Sequence, residues 1–496
     1  MNQFFAKKSL AMIKEEMKGE NRLRRILGPL ALTSLGVGAI IGTGIFVLTG
    51  IVAHDKTGPA IIVSFIVAGL ACVFAALCYA ELASMVPIAG SAYTYAYATM
   101  GELLAWIIGW DLVLEYAVGS ASVAHGWSHY FQGFLQIFNI TIPPLLSRAP
   151  FDYSLETGHL ISTGSVIDLP AVIITLILTA ILVKGIRESA GFNTAMVILK
   201  VVIVLFVIIV GAFFIDTNNW DNFAPYGWGG VSFFGNTVWG MVGNNGAPLG
   251  MIAGAAVIFY AYIGFDSVST HAEEAKVPSK DVPKGIIYSL IICTILYVLV
   301  AFVLTGMVPY DQINIDAPVS EAFQSIGITW ANFIISLGAI AGITSVLLVL
   351  LLSQPRIMLA MARDGMIPKN FFGAVHQKFK TPYKTTILTG IFVSILTGFL
   401  PLRILAELVS IGTLFAFTIV CTAVLIMRKT NPNAERPFKA PFYPITPLLG
   451  MLICILLMFS LPLENWWRLL LWLAIGMVIY FTYSRRHSIM NPNNRQ

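Results

Sequence analysis

The chain has 496 residues, 57% of them hydrophobic and only 11% charged, with a formal net charge of +5. Soluble domains carry about 25% charged residues, so the composition excludes a water-soluble globular enzyme and points to a polytopic membrane protein. The net charge says little until it is mapped onto the two sides of a bilayer.

The first 28 residues are basic and polar, with no apolar stretch of the kind a cleavable leader needs. They read as a topology determinant, or as an amphipathic segment lying on an anionic leaflet. Apolar runs of spanning length then follow near 29–53, 59–86, 101–133, 168–184, 190–215, 247–271, 284–308, 329–361, 384–400, 403–427, 442–462 and 465–483. Twelve spans put both termini on one side. The connections on that side carry 24 of the 30 lysines and arginines, among them Lys14, Lys18, Arg22 and Arg495, while the other side holds Lys56, Arg148, Arg403 and Arg468. Such a bias places both termini in the cytoplasm.

Within the first span, GVGAIIGTGIF (Gly36 to Phe46) sets four glycines in an apolar run. Each costs about 1 kcal/mol against alanine in a helix interior. A helix broken at membrane depth persists only where it lines a cavity or is buried in protein, and a half-helix N-terminus there suits an anionic group. A small-residue packing face is the other reading of the same segment. The stretch from Tyr79 to Tyr97 lies on the basic side yet has no lysine or arginine, which predicts a gate or interfacial helix packed into the protein. The external segment from Gln136 to Ile167 suggests no chemistry. The stretch from Asp216 to Gly246, rich in Gly and Trp and free of lysine and arginine, is expected to re-enter the interface in part. In the sixth span FYAYIGFD (Phe259 to Asp266) repeats the pattern of a glycine interrupting an apolar run. If spans one to five and six to ten are two repeats, Gly42 and Gly264 fall in the first helix of each.

The segments Gly38 to Phe46, Tyr79 to Ala83 (YAELA), Gly109 to Glu115 (GWDLVLE), Ala261 to Asp266 (AYIGFD), Glu273-Glu274 and Ser353 to Pro368 resemble bacterial members of the amino acid–polyamine–organocation superfamily, in its cationic amino acid transporter-like branch. The resemblance covers about residues 25–485 and departs in the long loop before the sixth span and at Pro355. It implies an all-α polytopic protein of the leucine-transporter type, a five-plus-five inverted repeat with two further helices, working as a proton-linked amino acid permease in the bacterial cytoplasmic membrane. The corresponding division is 1–28 (basic lead-in), 29–215 (first repeat), 216–246 (external loop), 247–427 (second repeat), 428–483 (last two spans) and 484–496 (cytoplasmic tail).

For a zwitterionic substrate, unwound backbone supplies donors and acceptors without bringing a charge into the membrane. The amides of Ile41, Gly42, Thr43 and Gly44, with the Thr43 hydroxyl, are assigned to the carboxylate, and carbonyls around Ile40, with Tyr260, Ala261 and Ile263, to the ammonium. The resemblance implies an aromatic gate at Tyr260; a packing tyrosine is the alternative. Leu112, Glu115, Ala341 and Phe415 are candidates for the side-chain pocket.

Ionisable groups inside spans are expensive and functional by default. Lys200, flanked on every side by apolar residues, must pair, lose its proton or snorkel to the surface. The resemblance gives it the place of a sodium ion between helices one and eight, with carbonyls near Gly36 and the hydroxyls of Thr344 or Ser345 as partners, and so implies proton coupling. Asp111 and Glu115 are four apart and share a helix face. Asp111 is expected as a structural partner near the membrane edge, Glu115 as a second proton site or a contact to the substrate side chain. Asp266 is a gate carboxylate or a helix cap, and a further proton-coupling candidate.

His125 and His129 are also four apart but have no evident third metal ligand, and the five cysteines lie in apolar runs without ligand spacing. With no phosphate-binding glycine motif, the expectation is a carrier for L-amino acids and protons. It would need a lipid bilayer, with no cofactor beyond a proton gradient, no metal, no nucleic acid and no evident obligate protein partner. The sequence leaves symport against exchange with an amine open. The residues favour small neutral substrates, alanine or the branched-chain amino acids, although Glu115 keeps arginine and lysine in play.

Overall fold

The computed structural model describes residues 3–9, 12, 23–153, 160–243, 248–314, 317–400, 402–461 and 463–492. Most of the basic lead-in, including Lys14, Lys18 and Arg22, lies outside the described residues, as does Arg495.

Helices dominate because, away from water, backbone amides and carbonyls must pair within their own segment. In chain order they are α1 (Pro29–Ile40), α2 (Ile61–Met85), α3 (Ala92–Thr99), α4 (Glu102–Gln136), α5 (Leu169–Lys184), α6 (Ile186–Gly211), α7 (Met251–Ile258), α8 (Ser267–Thr270), α9 (Pro278–Met307), α10 (Pro318–Ser325), α11 (Ala331–Arg363), α12 (Tyr383–Phe399), α13 (Leu402–Thr430), α14 (Ile445–Ser460) and α15 (Leu463–Ile479). Among the described residues, eight helical segments are long and apolar enough to cross a membrane, and four shorter apolar helices accompany them. Local signals set several starts. Proline stands in the first turn of α1, α5, α9 and α10, where its missing N–H costs nothing. Asp168 caps α5 by accepting from the Ala171 amide at 3.2 Å.

Both glycine-marked breaks are present. α1 stops at Ile40, and helix resumes at Gly44 as a π-helical turn to Leu48. α7 tightens into a 3-10 turn over Phe259–Tyr262 and halts at Gly264, whose φ of +120° suits glycine. The chain departs from an all-α protein in three small antiparallel pairs, which lie between the apolar helices: β1 (Phe151–Tyr153) with β2 (Leu160–Ser162), β3 (Val231–Phe233) with β4 (Asn236–Trp239), and β5 (Met241–Val242) with β6 (Pro248–Leu249).

Small residues let the long helices approach closely, as membrane packing requires. Gly285 of α9 meets Leu32 of α1, Gly69 of α2 meets Thr294 of α9, and Gly338 of α11 meets Ile203 of α6. α4 lies against α11 and α13, and α9 against α1 and α2.

Ion pairs close the end of the bundle that carries the basic connections. The ammonium of Lys8 sits 2.5 Å from Asp364, both side chains 2% exposed, and Tyr93 of α3 donates to the other Asp364 oxygen at 2.8 Å. The Lys8 amide donates to the Tyr97 carbonyl at 3.2 Å. Glu102, at the start of α4, gathers Gln3 at 3.0 Å, Tyr480 at 2.9 Å and Ser488 at 2.5 Å. Arg356 and Arg363 of α11 pair with Glu274 at 3.0 Å and Glu273 at 2.7 Å, and His271 lies 3.1 Å from Glu274. The segment from Tyr79 to Tyr97, expected as a packed gate or interfacial helix, is the end of α2 followed by α3, and both are buried.

Candidate functional site

The two breaks touch. A Cβ on Gly44 would lie 2.5 Å from the Cβ of Ala261, and one on Gly264 would lie 2.9 Å from the Cβ of Ala39, so each glycine lets one broken helix seat against the other. Between them and α4, α11 and α13 lies a cavity. Ala39, Ile40, Gly42, Thr43 and Gly44 form one wall and Tyr260, Ala261 and Ile263 the next. Glu115, Gly119 and Val123 of α4, Val346 and Leu350 of α11 and Val409 of α13 complete it.

Most of the backbone positions expected from the sequence are thus gathered on one cavity. Ile41 is not on its wall. It is fully buried and its carbonyl turns away, toward Lys200. Leu112 and Ala341 are buried but do not line the cavity, and Phe415 lines a separate apolar pocket with Trp466 and Leu469. Gly119, Val123, Val346, Leu350 and Val409, which the sequence did not single out, line the cavity instead. Sequence reasoning also missed Tyr297 of α9, whose hydroxyl lies 2.7 Å from the Ile40 carbonyl and 2.9 Å from the Ala261 carbonyl. It lies between the two breaks, and its single proton goes to one of these carbonyls at a time, leaving lone pairs on both that are expected to receive an ammonium. The only signal for it in the sequence is a lone tyrosine in the apolar run LIICTILYVLV.

Lys200 of α6 is 0% exposed, which rules out the snorkelling alternative. Its ammonium lies 3.0 Å from the Val37 carbonyl, 3.0 Å from Gly38, 2.7 Å from Ile41 and 2.7 Å from the Ser345 hydroxyl. Four oxygens around three N–H donors make a coordination shell like that of a small cation. The expected carbonyls near Gly36 are those of Val37, Gly38 and Ile41, and of the two candidate hydroxyls Ser345 is used. Thr344 instead accepts from the Trp127 indole at 2.8 Å.

The carboxylates differ in their surroundings. Glu115 reaches the cavity wall, and its Oε2 has no partner among the described residues. Asp266 lies behind the second break, where its Oδ2 accepts from the Tyr116 hydroxyl at 2.6 Å. Although it precedes α8, its side chain does not cap that helix, so the cap alternative is not realised. Asp111, expected near the membrane edge, is fully buried against Gly412 of α13, with neither oxygen partnered among the described residues. His125 sits 2.9 Å from Asp168 and 2.8 Å from the Leu400 carbonyl. The five cysteines are buried and free.

Residues 27–481 match the family model described as amino acid permease. Over 488 residues the chain is 47% identical to the branched-chain amino acid permease BcaP of Bacillus subtilis, covering 98% of this chain and 99% of that one. It is 46% identical over 491 residues to the methylthioribose transporter of the same organism, covering 99% and 100%. A vacuolar cationic amino acid transporter 4 of Arabidopsis thaliana is 38% identical over 431 residues, 86% of this chain and 66% of that protein.

Proposed function

Since the chain belongs to the amino acid permease family, we propose that it is a secondary carrier that takes up L-amino acids with small or branched apolar side chains together with protons. The observation that carries this reading is the junction of the two broken helices. Gly42, Thr43 and Gly44 of the first break line a cavity whose far wall is Gly119, Val123, Val346, Leu350 and Val409. A zwitterion fits the polar wall, and an aliphatic side chain gains about 0.8 kcal/mol per buried methylene against the apolar one. The division of the chain expected from the sequence fits such a carrier: twelve spans, a five-plus-five repeat over 29–215 and 247–427, and both termini in the cytoplasm of a bacterium.

The coupling element in this reading is Lys200, because its protonation changes what holds α1, α6 and α11 together. As an ammonium it binds three carbonyls of α1 and its break and one hydroxyl of α11. A neutral amine attracts them less, so the two protonation states favour different arrangements, and by linkage the substrate shifts the proton's affinity. Glu115 and Asp266 are the alternative proton carriers, and Tyr260, on the cavity wall, is the gate.

The test is uptake of labelled leucine into proteoliposomes with an inward proton gradient and no internal substrate, competed by alanine, valine, arginine and methylthioribose. Gradient-driven accumulation competed by the neutral amino acids is expected. Uptake that needs internal amine identifies an exchanger, and competition by methylthioribose alone removes amino acids as the substrate.

A further inference from the structure

The loop ahead of α7 carries an apolar surface that the transport reading leaves unused. From Gly227 to Gly243 there is no charged residue, and the β3–β4 hairpin and β5 turn their large side chains outward. Phe233 is 51% exposed, Val238 70%, Trp239 59%, Met241 51% and Val242 57%. Side chains of this size cost about 25 cal/mol for each Å² left in water, and single-chain proteins seldom gather them in one patch without a partner.

The surroundings indicate the partner. The hairpin sits on the turn between α14 and α15, where two apolar helices end. The Phe234 amide donates to the Phe459 carbonyl at 2.7 Å and the Ser232 hydroxyl to the Ser460 carbonyl at 2.9 Å. The ring of Phe233 stacks on Phe459 at 5.3 Å, and Phe234 meets Trp466 at 5.8 Å. Below that turn the outer faces of α14 and α15 present Leu452, Leu456, Trp467, Leu470 and Leu471, each more than half exposed, as a lipid-facing wall requires. The hairpin's patch continues that wall at the level where aromatic side chains favour the headgroup region.

We propose that the 231–242 segment, the β3–β4 hairpin with β5, is an interfacial anchor, its Val238, Trp239 and Met241 side chains inserted among the lipid headgroups of the leaflet opposite the basic connections. The anchor is joined to the transport core. At its base the Met251 amide donates to the Gly227 carbonyl at 3.1 Å and the Ile252 amide to the Gly229 carbonyl at 3.0 Å, so the first turn of α7 is fixed to it. The leaflet thereby holds one half of the second broken helix at a set depth.

The test places single cysteines at Val238→Cys and Met241→Cys, with Asn218→Cys as an exposed reference at the same end, labels each with bimane and reconstitutes it into phosphatidylcholine nanodiscs. The native cysteines are buried, and the unsubstituted chain gives the labelling background. Brominated acyl chains should quench the two hairpin probes several-fold more than the reference, and aqueous iodide should show the reverse order. Iodide quenching at Val238→Cys equal to the reference overturns the proposal. So does shielding from both quenchers, which would mean that a second copy or another protein covers the patch. Two probes on different strands keep the result readable should one variant fail to fold.

Discussion

Replacing Lys200 with methionine keeps the length of the side chain and removes its charge. Of the carbonyls that receive the ammonium, two also have other donors within reach: Val37 O receives the Ile41 amide at 3.1 Å, and Gly38 O lies 3.0 Å from the Ser345 hydroxyl, which it shares with the Gly342 carbonyl at 2.7 Å. The Ile41 carbonyl, at the break itself, accepts from the ammonium at 2.7 Å and would be deprived of it. A hydrogen bond to a charged donor is worth about 1.5–3 kcal/mol, so the break loses about 2 kcal/mol of attachment to α6. That shifts the balance between arrangements by a factor of about 30. The variant should insert, remain folded in detergent and bind substrate with altered affinity. The assay is uptake at equal reconstitution with an imposed inward proton gradient, beside counterflow with internal substrate. Gradient-driven accumulation should vanish while counterflow persists. Undiminished accumulation would refute the role of Lys200 and pass the proton to Glu115 or Asp266.

Gly44→Val should abolish substrate binding in a scintillation proximity assay, since even a Cβ would lie 2.5 Å from the Ala261 Cβ; normal affinity would separate the break from the site. Glu115→Gln should change the ranking of arginine against leucine more than it changes proton coupling, if Glu115 contacts the substrate side chain. The reverse result makes it a proton carrier. Lys8→Met leaves the buried Asp364 carboxylate without its cation and should cost about 3 kcal/mol, read as a lowered melting temperature; an unchanged melt would show the pair to be dispensable.

What could be read in the sequence was what breaks a local rule. Glycines at positions 42, 44 and 264 and a lysine in an apolar helix contradict their surroundings, and each sits at a junction of elements. The far wall of the cavity was hidden for the opposite reason. Val346 and Leu350 lie in a helix of 33 residues with buried side chains on most of its circumference, so hydrophobic periodicity, which reports the boundary with water, does not tell a cavity face from a packing face. Leu112 and Ala341 belong to such helices and fall on packing faces. Tyr297 was hidden because its hydroxyl's role exists only once two distant breaks are brought together. The strand pairs escaped because they are two to four residues long, too short to show an alternation.

The seal at the basic end joins Gln3 and Lys8 to Glu102, Asp364, Tyr480 and Ser488. This has a consequence for biogenesis. During synthesis Lys8 emerges hundreds of residues before Asp364, and Glu102 hundreds before Tyr480 and Ser488, so these contacts wait while helix after helix is inserted. The clasp closes only once Tyr480 and Ser488 are in place. A chain truncated within α15 would hold a complete substrate cavity yet leave the Glu102 carboxylate without its Tyr480 and Ser488 donors. In that sense contacts between segments far apart in the sequence register how far insertion has gone, Glu102 keeping Gln3 and Tyr97 but not Tyr480 or Ser488 in a copy that stopped short.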